Sequence, residues 1–65
     1  KIETNVDSLI GASAVVVEAI TSQVPGKIKI AGEIWLAVCD ESVDIGQTVV
    51  IVSVDGTKLI VKKNV

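Results

Sequence analysis

Histidine, methionine, phenylalanine and tyrosine are absent from this chain of 65 residues, and cysteine, proline and tryptophan occur once each. Without histidine, and with Cys39 alone, there is no zinc constellation, because carboxylates by themselves seldom hold that metal. The lone thiol excludes a disulfide within the chain and favours a reducing, cytoplasmic setting. It also lacks the usual base that would make it a nucleophile, and so does every serine. The loop at 22–26 holds one glycine and no Gly-Lys-Ser/Thr run, so it is no phosphate cradle. No paired carboxylates mark a cleft. No enzyme and no cofactor is expected. The net charge is −2, with six lysines against eight acids, which gives no electrostatic footprint for nucleic acid. Apolar runs such as residues 14–17 and 49–52 are far shorter than the roughly twenty residues of a membrane helix. No signal peptide is visible. The chain opens on Lys1 rather than Met, which suits a fragment and leaves room for a membrane segment outside it.

What is present is aliphatic. Apolar residues make up 49 % of the chain, almost all of them Val, Ile, Leu and Ala, and β-branched side chains favour strands. Residues 1–8 are polar and read as a flexible lead-in. Leu9 and Ile10, with Gly11 for a sharp bend, are expected to turn inward and plug one end of the domain. Five strands follow, at 13–21, 27–30, 33–39, 48–54 and 57–63, each alternating or bounded by turn residues. Asp55-Gly56 suits a type I′ hairpin turn. Ala31-Gly32 suits a type I turn with Gly32 as a left-handed bulge. Residues 40–47 form a crossover. A three-strand meander, a crossover and a hairpin predict an all-β, five-stranded Greek-key barrel of the OB-fold type over residues 9–65. An SH3-like pair of sheets is the alternative.

Alternation assigns Val15, Val17, Ile28, Ile30, Ile34, Leu36, Val38, Val49, Ile51, Leu59 and Val61 to the interior. Val16, Ile20, Trp35, Val50, Val52, Val54 and Ile60 then fall outside with the charged residues. The first and fourth strands are neighbours in this topology, so Val16 and Ile20 would adjoin Val50, Val52 and Val54. An apolar outer patch on so small a domain marks a contact surface, unless the lead-in and the crossover fold over it. The candidate interaction surface is therefore Val16, Ile20, Trp35, Val50, Val52 and Val54. Trp35 is either an anchor for a partner or a side chain covering the wall. Lys27 and Lys29 protect an edge strand or touch anionic lipid. Asp40, Glu41 and Asp44 lack the spacing of a calcium loop and read as a solvated acidic loop.

Several segments, taken in order, resemble one family. They are Leu9-Ile10-Gly11, Pro25-Gly26-Lys27-Ile28-Lys29-Ile30, Gly32-Glu33-Ile34-Trp35, Gly46 and Val54-Asp55-Gly56-Thr57-Lys58-Leu59. The similarity is to the C-terminal soluble domain of NfeD-like proteins and spans residues 9–63. Ala12, Ala14 and Cys39 depart from it, at positions where lysine, glycine and serine are common. The resemblance implies an OB barrel attached after transmembrane helices, in proteins that work with stomatin- or flotillin-like membrane proteins. It implies a non-catalytic interaction domain whose partner is such a protein or a second copy. Regulation of membrane protein quality control follows by the same analogy. A free-standing oligonucleotide- or oligosaccharide-binding OB module is the alternative from a different class.

Overall fold

A computed structural model describes residues 9–64. The lead-in expected at 1–8, and any cover it would give the valines, lie outside the described residues. The strands are β1 (Ser13–Glu18), β2 (Gly26–Ile30), β3 (Glu33–Val38), β4 (Thr48–Asp55) and β5 (Lys58–Lys63). They form one continuous sheet closed into a barrel in the order β1-β2-β3-β5-β4. All neighbours are antiparallel except β3 and β5, which run parallel. A single closed sheet excludes the two-sheet alternative, and the expected adjacency of the first and fourth strands holds.

The interior is aliphatic. Ala14, Val16, Ile20, Ile28, Ala37, Cys39, Val43, Val49, Ile51, Leu59 and Val61 are buried, with no polar side chain buried among the described residues. Leu9 packs against this cluster as expected of a plug, whereas Ile10, expected to turn inward with it, is 48 % exposed; the bend at Gly11 has a φ of +90°. The crossover is pinned rather than loose. Ile20 and Val43 exchange two backbone hydrogen bonds, at 3.0 and 2.8 Å, and both side chains are buried.

Two faces expected from alternation are inverted. Val16 and Ile20 are wholly buried rather than outside, while Val15 is 46 % exposed rather than inside. The cause is a bulge in β1 between Val16 and Glu18. Counting back in twos from the charged Glu18 puts Val16 outside, and the extra residue Val17 reverses that phase. Ile20 lies beyond the end of β1, where Val43 covers it. In β3, Trp35 and Ala37 turn inward, and Ile34 and Leu36 stand outside at 53 % and 38 % exposure. Their cross-strand partners explain this: Lys29 faces Ile34, Lys27 faces Leu36, and Ile28 faces Trp35. Directly opposed residues share a face, so the lysines carry Ile34 and Leu36 outward with them. A second bulge, between Ile51 and Ser53, leaves Val52 outside and returns Val54 to the core.

Both hairpin turns also differ from expectation. Ile30 pairs with Glu33, so Ala31-Gly32 is a two-residue loop. Positive φ at both residues, 51° and 85°, is the type I′ pattern. In the other hairpin Asp55 pairs with Lys58, which moves the loop to Gly56-Thr57. Positive φ at Gly56 but not at Thr57 is the type II′ pattern. Ala31 is the only non-glycine with positive φ among the described residues, and a Cβ there is strained by about 1–2 kcal/mol. Asparagine tolerates that region and precedes glycine in favoured I′ turns. Ala31→Asn is expected to raise stability by about 0.5–1 kcal/mol, read as a Tm increase of several degrees. An unchanged Tm would mean that Ala31 relaxes out of this conformation.

Candidate functional site

The six residues singled out for an outer patch divide. Val16 and Ile20 are interior, and Trp35 and Val54 are half-buried against the core. Val50 is half-buried in β4, opposite Ser13 and Lys62. Val52 is 42 % exposed. Trp35 therefore covers the barrel wall from within rather than leaning off it. Cys39 is a buried free thiol, which suits its place among aliphatic neighbours.

An outer apolar surface exists, but on β3, β5 and β4 rather than on β1 and β4 with Trp35. The outward face of β3 presents Ile34, Leu36 and Val38 in a row, about 7 Å apart by strand geometry. Val38 pairs with Ile60 of β5, and Ile60 pairs with Ser53 beside the bulged Val52 of β4. Where the β3–β5 ladder ends at Val38 and Ile60, the strands part around a groove of about 470 Å³. Val38, Val52 and Ile60 line it, with Cys39 and Val61 at its floor and Ser22, Asp40 and Lys62 at its edge. Its surface is mostly hydrocarbon.

Lysines border this wall. Leu36 has Lys27 opposite it on β2 and Lys58 opposite it on β5, and Lys29 faces Ile34. Lys27 lies 3.7 Å from Glu18, with both side chains well exposed, a contact that contributes little to stability. Lys63 approaches Glu41 of the crossover at 4.0 Å, again with both side chains exposed. Among the described residues, Lys29, Lys58 and Lys62 make no ion pair. The acids of the crossover, Asp40, Glu41 and Asp44, are all exposed, and among the described residues no group of three potential ligands converges on a metal position.

Sequence reasoning missed Ile34, Leu36 and Val38 as surface residues. The signal was available in the loop length: with two residues at Ala31-Gly32, Lys29 must oppose Ile34 and Lys27 must oppose Leu36. A charged residue on one strand then assigns the face of its partner.

The family description that matches residues 6–63 is "NfeD-like C-terminal, partner-binding domain". An uncharacterised protein of Methanocaldococcus jannaschii is 35 % identical over 63 residues, which is 97 % of this chain and 46 % of that protein. The chain thus spans about half the length of this relative. Among solved structures, the C-terminal domain of a stomatin operon partner protein from Pyrococcus horikoshii is similar, with 32 % identity and a TM-score of 0.85. That match covers 97 % of this chain and 98 % of the other. A second is the soluble domain of a Corynebacterium glutamicum membrane protein implicated in regulation of membrane protease activity. It has 27 % identity and a TM-score of 0.81, with 91 % of this chain and 97 % of that one covered. With the same barrel and a family match across nearly its whole length, this chain belongs to the NfeD-like family, as its C-terminal, partner-binding domain.

Proposed function

We propose that this domain is the non-catalytic docking end of a longer, membrane-attached protein, and that its partner is a stomatin- or flotillin-type scaffolding protein. The observation that carries this reading is the outward apolar surface of β3, β5 and β4, on a barrel that already buries an aliphatic core of its own. Aliphatic side chains at Ile34, Leu36 and Val52 remain exposed, and covering them releases the water they order. The stomatin operon partner from Pyrococcus horikoshii supports the choice of partner class. The Corynebacterium glutamicum relative supports a role in controlling membrane proteolysis through such docking. The membrane attachment belongs to segments outside this chain, and the domain is assigned to the cytoplasmic side, where a free thiol such as Cys39 survives reduced.

The test is a titration of the chain against the stomatin-like protein encoded in the same genome, held in nanodiscs. Saturable binding is expected, together with no retardation of single-stranded DNA at low salt. Absence of binding to that protein, with the chain shown to be folded, would overturn the choice of partner. A salt-dependent shift of DNA would instead favour the oligonucleotide-binding alternative.

A further inference from the structure

No further inference is drawn: the strongest candidate, the outward apolar wall of β3, β5 and β4 with the groove beside it, carries carboxylates among its lysines, and nothing in the structure shows what covers it.

Discussion

Gly26→Ala is expected to destabilise the domain by about 3 kcal/mol, through overpacking that its surroundings cannot relieve. A domain of this size has about 3–10 kcal/mol in total, so the loss removes from about a third to all of its stability. Gly26 is buried at the start of β2 and pairs with Ala37. A Cβ there would run into the backbone carbonyl oxygens of Glu18 and Ala19 and lie 2.6 Å from Cγ1 of Ile20. Two of those three neighbours are main chain, which cannot rotate aside as a side chain does. Moving them would disturb the paired hydrogen bonds between Ile20 and Val43, which hold the crossover under the barrel. The φ of Gly26 is not in the left-handed region, so the cost is one of space rather than backbone conformation. Gly46→Ala makes the contrast. Its φ is +92° with nothing within 4 Å of the added carbon, and the expected loss is only about 1 kcal/mol of backbone strain. Urea unfolding of the two variants separates these causes. Gly26→Ala within 0.5 kcal/mol of wild type, about the scatter of a neutral surface change, would show that β1 does not approach β2 this closely.

A second large effect distinguishes the two faces of β1. Val16→Asp is expected to abolish folding. Val16 is wholly buried opposite Ile28, and an unpaired carboxylate there faces only hydrocarbon, at a cost of about 3–5 kcal/mol or more. Val15→Asp is expected to fall within about 0.5 kcal/mol of wild type. Val15 is 46 % exposed and lies opposite Lys29, so the new carboxylate gains an oppositely charged cross-strand neighbour. Simple alternation counted from Glu18 anticipates the reverse order. Circular dichroism and thermal melts of both proteins decide it. A folded Val16→Asp beside an unfolded Val15→Asp would mean that the bulge in β1 is misplaced.

How much of the candidate wall was legible follows from these same elements. Ile28, Val49, Ile51, Leu59 and Val61 were assigned inward and are buried. Each alternates with a lysine, or lies on a strand whose partner does, so the polar neighbour set its phase. β1 and β3 each carried one charged residue at an end, Glu18 and Glu33, and counting in twos from either gives the wrong phase. The apolar run at residues 14–17 looks the same from either side, and its nearest charge, Glu18, lies past the bulge. In β3 the marker was on the neighbouring strand, in Lys27 and Lys29, and became usable only once the turn length was known. An apolar surface outside the barrel was foreseen; of its foreseen members, Val52 is exposed and Val50 half-buried, while Val16, Ile20, Trp35 and Val54 belong to the interior.

The residues alone determined that this is a five-stranded aliphatic barrel with a two-residue hairpin at 31–32, and they placed the second hairpin one residue early, at 55–56 rather than 56–57. Those properties come from local chemistry: β-branched runs and glycine at turns. Tertiary structure decided which side of β1 and β3 meets solvent, and with it the position of the wall. A strand of valines and isoleucines has no intrinsic inside. Its phase is set by the bulges and by the register it adopts against its neighbours, and both are properties of paired strands rather than of a single stretch of chain.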